Sequence, residues 1–204
     1  MKELWFKILF WLVLVALFCH LPLCAQTTYT MTSGTHTLTT CNVTIYDNGG
    51  PTGEYAPNSH DTLIIYPSTS GCKIALEGAY HTESVSYDYI KVYSGAGVSG
   101  TLLATLAGNN SLTIPIVSNA SNGALTVVFK SDGSVQYDGY ELQVQCVCTT
   151  VQIYDTVCYR GRYQAHGYDT IFYYPGDYEL VNLGLDGTLT KVDLHVRPSP
   201  YVSI

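Results

Sequence analysis

The sequence predicts an all-β protein, an antiparallel β-sandwich of jelly-roll type over residues 27–147 followed by a small β-rich segment over 150–204. Three observations carry that reading. Apolar and polar residues alternate with period two in several short runs, which puts one face of each run against a core and the other towards water. Turn-forming residues separate those runs at short intervals. No stretch holds the i, i+3, i+4 apolar spacing of an amphipathic helix. Tyr alone contributes 18 residues, and Thr and Val are abundant, as suits a pleated, half-buried surface.

The chain opens on a different pattern. Lys2 and Lys7 precede an unbroken apolar run, Ile8–Cys19, and Cys24-Ala25-Gln26 places a small residue before a polar stretch. This is the three-part pattern of an export signal over residues 1–25, cleaved after Ala25. The run is shorter than the roughly 20 residues a bilayer span needs, so no membrane span is expected after cleavage.

The strands follow in order. Thr62–Tyr66, Ile74–Leu76, Tyr87–Tyr93 and Thr101–Leu106 read as extended segments. Leu125, Val127 and Phe129 alternate with Thr126, Val128 and Lys130. Tyr140, Leu142, Val144 and Cys146 alternate with Glu141, Gln143 and Gln145. Turns are expected at Asp47-Asn48-Gly49-Gly50, Pro57-Asn58-Ser59, Ser94-Gly95-Ala96-Gly97, Asn109-Asn110, Ser121-Asn122-Gly123 and Asp132-Gly133. A boundary falls near Cys148-Thr149-Thr150. Beyond it lie strand signals at Thr149–Tyr154, Asp169–Tyr174, Tyr178–Val181 and Thr188–Val196, in a segment small for a core of its own.

Charge and cysteines narrow the function classes. The chain carries 9 Lys and Arg against 16 Asp and Glu; removing residues 1–25 takes two Lys and one Glu and leaves a net charge of −8. Nucleic acid is excluded as a partner, because phosphate contacts need clustered basic residues and none exist here. Five cysteines remain beyond the signal: Cys41, Cys72, Cys146, Cys148 and Cys158. Their spacing fits no zinc site, export permits disulfides, and an odd count leaves at least one thiol free, intermolecular or lost in processing.

Residues 41–146 resemble a CUB domain. Ile45–Gly50 looks like that family's opening turn, with Gly53-Glu54-Tyr55 after it. Tyr87-Asp88-Tyr89-Ile90-Lys91-Val92-Tyr93-Ser94-Gly95 is similar to its central strand. Phe129-Lys130-Ser131-Asp132-Gly133 and Gly139-Tyr140 are similar to its closing motifs. The usual cysteine before Tyr87 is Val85 or Ser86 here, so the animal family's disulfides are not in place, and the segment from Glu83 to Asp88 is shorter than in animal members. Residues 150–199 resemble a short segment that follows such domains in secreted proteins of the Bacteroidetes type, with Leu185 where a second cysteine would pair with Cys158.

The resemblance implies a secreted or cell-surface, non-catalytic binding protein whose partner is an extracellular protein or glycan. It implies calcium as the cofactor, held by Glu83, Asp88 and Asp132 at one end of the sandwich. Calcium takes 6–8 oxygen ligands, which carboxylates from separate loops can supply with carbonyls and water. The competing reading makes Asp88 and Asp132 plain turn residues at strand ends. Because first and last strands of such a sandwich lie close together, the resemblance favours a Cys41–Cys146 disulfide over Cys41–Cys72. A carbohydrate-binding accessory unit and a hydrolase fragment are the alternative classes.

Other motifs point away from chemistry. Gly95-Ala96-Gly97-Val98-Ser99-Gly100 matches a dinucleotide-loop pattern, but a strand-like run follows where a helix is required, and no acidic residue occurs between Asp88 and Asp132. A hairpin loop accounts for the glycines. His36, His60, His81, His166 and His195 are scattered, and neither His-Glu-x-x-His nor Gly-x-Ser-x-Gly is present. Tyr87, Tyr89 and Tyr93 share one face of a strand, as a core stripe or as an aromatic binding surface.

Overall fold

The computed structural model describes residues 27–198; the expected export signal lies outside that range. Two five-stranded sheets face each other. The first runs β1 (Thr28–Thr30), β3 (Asn42–Tyr46), β10 (Gly139–Val147), β5 (Lys73–His81), β8 (Asn109–Val117). The second runs β2 (Gly34–Thr39), β4 (His60–Tyr66), β9 (Leu125–Lys130), β6 (Tyr89–Ser94), β7 (Leu102–Leu106). The ladders are antiparallel apart from β1 on β3 and β2 on β4, where two short N-terminal strands close one edge of each sheet in parallel.

Alternation in the sequence becomes alternation in burial. On β4, Asp61, Leu63 and Ile65 point inward; on β6, Ile90, Val92 and Ser94 do; on β10, Leu142 and Val144 do. The apolar ones among them join Ile45, Ile74, Leu76, Leu125, Val127 and Phe129 in one core. The Phe129 ring meets Tyr55 and Tyr140 edge-on, with centroids 5.1 and 5.6 Å away. Such contacts add to the area the rings remove from water.

Two disulfides brace the sandwich. Cys41 bonds Cys146, with Cα atoms 4.8 Å apart, and Cys72 bonds Cys148, 4.2 Å apart. Cys72 is therefore taken by Cys148 and is not available to Cys41. Cys158 is exposed and free among the described residues.

Elsewhere the structure departs from the sequence reading in detail. The Asn109-Asn110 pair opens β8, and the reversal falls one step earlier, at Gly108 with φ 80°. Pro115 sits in β8 where the register against β5 slips between Leu76 and Gly78; an edge strand tolerates a residue that cannot donate to a ladder. Residues 95–101 form the expected hairpin link between β6 and β7.

Beyond β10 the chain forms β11 (Thr149–Cys158), β12 (Arg162–Ala165), β13 (Tyr168–Ile171), β14 (Gly176–Leu183) and β15 (Thr188–Arg197). A three-stranded sheet has the order β11-β15-β14, and β12–β13 is a separate hairpin. Tyr163 of the hairpin packs with Val192, Leu194 and Val196. A second small cluster, Leu189 with Ala75 and Val147, seats this sheet on the sandwich. Strand β13 ends at Ile171 rather than Tyr174, and Tyr173 and Tyr174 are exposed before Pro175. Leu185 stands fully in solvent.

Candidate metal centre

The loop after β3 is fixed by buried polar groups. Asp47 is fully buried; its two oxygens accept from the backbone N–H groups of Gly49 and Tyr140, at 2.8 Å each. Burial, chiefly, holds its carboxyl above the usual carboxylate range, against the pull of those bonds. A side chain on Gly139, with φ 79°, would fall on the Asp47 carboxylate, so this position requires glycine. Asn48 donates to Ser59 Oγ at 2.6 Å and Asp61 Oδ2 at 2.9 Å, and accepts from Ala56 N–H at 2.7 Å. Ser131 donates to the Ala56 carbonyl, and the Asn58 N–H donates to the Asp132 carbonyl at 2.6 Å. The loop is thereby tied to the end of β9.

At that end the structure brings together Glu83, Asp88 and Asp132. One ligand oxygen from each lies within 4.8 Å of the others. Glu83 and Asp88 stand near the two ends of the β5–β6 connection and Asp132 follows β9, so two connections, each crossing between the sheets, meet. The short Glu83–Asp88 segment reaches because its turn bonds back, with the N–H groups of Tyr87 and Asp88 both donating to the Ser84 carbonyl.

Asp88 is fully buried and anchors the group. Its Oδ1 accepts from Asp132 N–H at 2.7 Å and its Oδ2 from the Tyr55 hydroxyl at 2.5 Å. The Tyr55 oxygen also accepts from Glu83 N–H at 3.3 Å and lies 3.3 Å from the Val135 carbonyl. A single buried phenol, itself on the β3–β4 connection, thus touches both of these connections. Burial first, and then the Asp88 hydrogen bond, push its pKa well up, so it stays a donor. Asp132 Oδ1 caps its own turn by accepting from Ser134 N–H at 2.9 Å. The turn-residue reading is therefore true of Asp132 as far as it goes, while Asp88 is a buried anchor.

The carboxylates repel one another. Burial, followed by the charges of Asp132 and Asp88, holds the Glu83 carboxyl above its usual value. A divalent cation relieves that repulsion. Oxygens on opposite sides of one calcium ion, at about 2.3–2.6 Å each, stand about 4.6–5.2 Å apart, so this spacing fits the ion.

Around the site, Val85, Tyr87 and Val135 are each half exposed or more. Val135 adopts φ 61°, an unfavourable region for a β-branched residue, and such strain concentrates at functional loops. Asp138 is nearby in sequence but not a member; it projects into solvent, 3.3 Å from His81. Tyr89 and Tyr93 lie half-buried on the outer face of β6, not in the core, with Lys91 Nζ 4.7 Å above the Tyr89 ring. His195 is not isolated: its Nδ1 is 2.6 Å from Asp177. Tyr55 had no role assignable from sequence, because its partner Asp88 is 33 residues away.

A two-sheet sandwich of this topology, with acidic connections gathered at one end, defines the class: an all-β domain of the jelly-roll type. The chain belongs to the CUB domain family, whose sequence profile matches residues 35–144. CUB domains are typically non-catalytic protein-interaction modules and occur in extracellular proteins. Pig cubilin (Sus scrofa) is 36% identical over 66 residues, which is 32% of this chain and 2% of cubilin. The chain thus spans a small fraction of that relative's length. Among solved structures, the CUB1-EGF-CUB2 region of human MASP-1/3 is 21% identical with TM-score 0.46, over 55% of this chain and 41% of that one. The MASP-1 CUB2 domain bound to Ca2+ is 21% identical with TM-score 0.42, over 60% and 99%. No helix among the described residues is long and apolar enough to cross a membrane.

Proposed function

We propose that this chain is a secreted or cell-surface binding protein without catalytic activity. In this reading residues 1–25 are an export signal, 27–147 the binding unit and 150–204 a small β-rich unit attached to it. Glu83, Asp88 and Asp132 hold calcium, and the ion fixes the loops after β5 and β9 in one arrangement. Those loops then offer Val85, Tyr87 and Val135 to an extracellular protein or glycan. The observation that carries the reading is the convergence of three carboxylates within 4.8 Å around a fully buried, doubly bonded Asp88. A bound ion needs such a preorganised anchor.

The test is capture of extracellular proteins and screening of a glycan array by the purified chain, with calcium and with chelator. Binding that disappears with chelator and in Asp88→Ala supports the reading. Binding indifferent to both would contradict it. Recognition of sugars alone would make the chain a carbohydrate-binding accessory unit.

A further inference from the structure

The outer face of the first sheet carries a hollow at one end of β10. Cross-strand register sets Tyr46, Glu141 and Ala79 in one row and Gly139, His81 and Asn109 in the next. Neither Ala79 nor Gly139 has a side chain larger than a methyl group. A hollow of about 260 Å³ therefore opens between Tyr46 on β3 and His81 on β5. Pro51, just past the turn that buried Asp47 fixes, also lines it.

The walls are held in place before any ligand arrives. The His81 ring stacks on Tyr137 with centroids 4.3 Å apart. Its Nδ1 lies 3.3 Å from Asp138, and its Nε2 has no partner among the described residues. Glu141 forms no salt bridge among those residues, and no Lys or Arg lines the hollow.

This lining mixes groups of different kinds. Glu141 accepts, the Asn109 amide donates and accepts, and His81 Nε2 does one or the other. An anionic ligand would meet Glu141 and, at the rim, Asp138. A Lys or Arg side chain would satisfy Glu141, but it carries donors only and would leave the Asn109 amide N–H groups unmet. Its ion pair, open to water, would also add little. A pyranose brings hydroxyls that each donate and accept, and a face of C–H groups that lies against an aromatic ring.

We propose that the hollow between Tyr46 and His81 binds one neutral pyranose residue of a glycan. The C–H face of the sugar rests on Tyr46. Its hydroxyls donate to Glu141 and exchange bonds with Asn109 and His81 Nε2. The site lies on the sheet face, outside the three-carboxylate cluster, and does not rest on calcium.

The probes are the methyl glycosides of glucose, galactose, mannose and N-acetylglucosamine. Each is titrated into the full chain in excess chelator, with the NMR signals of the His81 ring as readout. At least one should shift them saturably, with a Kd of about 1 mM, because a single sugar makes few contacts. Ala79→Phe fills the floor from an exposed position and should abolish the shift. Glu141→Gln should weaken binding severalfold and Tyr46→Ala about tenfold. Glu77→Ala, on the same face but outside the hollow, should leave it unchanged. No saturable shift from any of the four sugars overturns the proposal, as does sugar binding that survives Ala79→Phe. A response to argininamide but to no sugar overturns it in favour of a basic side chain. Sugar binding that appears only with calcium places recognition at the loops and overturns it too. Sugar binding by a chain that takes up no calcium supports this site while refuting the calcium reading.

Discussion

Single side chains decide what the loops can do, and Tyr55 decides most. Its ring packs on Phe129 while its oxygen joins Asp88, Glu83 N–H and the Val135 carbonyl region. Tyr55→Phe keeps the packing and leaves Asp88 one bond short. It should cost about 1.5–3 kcal/mol, the range for a hydrogen bond to a charged group, read as a lower urea midpoint with unchanged slope. It should also shrink any calcium-induced rise in melting temperature. Glu83 carries the pH dependence. Its folded-state pKa is raised by burial and by Asp132 and Asp88, so the folded chain holds this proton more tightly than the unfolded one. Without cation, its contribution is most favourable below the ordinary glutamate value and is lost as pH rises through the raised folded value. Melts across that window should show a fall with pH that Glu83→Gln makes shallower. Calcium must displace the same proton, so its affinity should climb over the same window.

At the scale of elements, strands with one face buried were legible, as were the edge strands β7, β11 and β14, while the edge strands β1, β2 and β8 were not. β4, β6, β9 and β10 write their burial as alternation, because their inward residues have no other place to go. β1 and β2 are Thr-rich edge strands with little to bury, and β8 hides behind Asn109, Asn110 and Pro115, each a turn signal out of context. The acidic residues at loop ends were legible through family motifs. Their support was not, since Tyr55 and Asp88 meet only through the fold. The Cys72–Cys148 bond was equally invisible, with partners 76 residues apart on either side of an expected boundary. It joins the start of β5 to the junction of β10 and β11. A loop of that size makes the bond worth roughly 4–5 kcal/mol in the chain-entropy account. Cys72→Ala with Cys148→Ala should lower urea-unfolding stability by up to that amount. A loss under about 1 kcal/mol would mean that β-sheet contacts alone hold the junction.

The whole molecule is an acidic chain, net −7, folded so that its sharpest carboxylate cluster sits where connections from both sheets meet. The sandwich supplies rigidity through one continuous core, and the loops at this end carry polar groups that a rigid frame can aim. A ligand that binds the folded state alone raises its stability by mass action. The account therefore turns on whether the cluster binds calcium. The direct measurement is calorimetric titration of the purified chain with calcium, paired with melting with and without chelator. Wild type should release heat at one site and melt higher with the ion. Asp88→Ala and Asp132→Ala should lose both effects, and Asp138→Ala, outside the cluster, should keep them. Neither heat nor a melting shift up to millimolar calcium, or equal loss in Asp138→Ala, would contradict the account and leave Asp88 as a structural anchor and Asp132 as a turn residue.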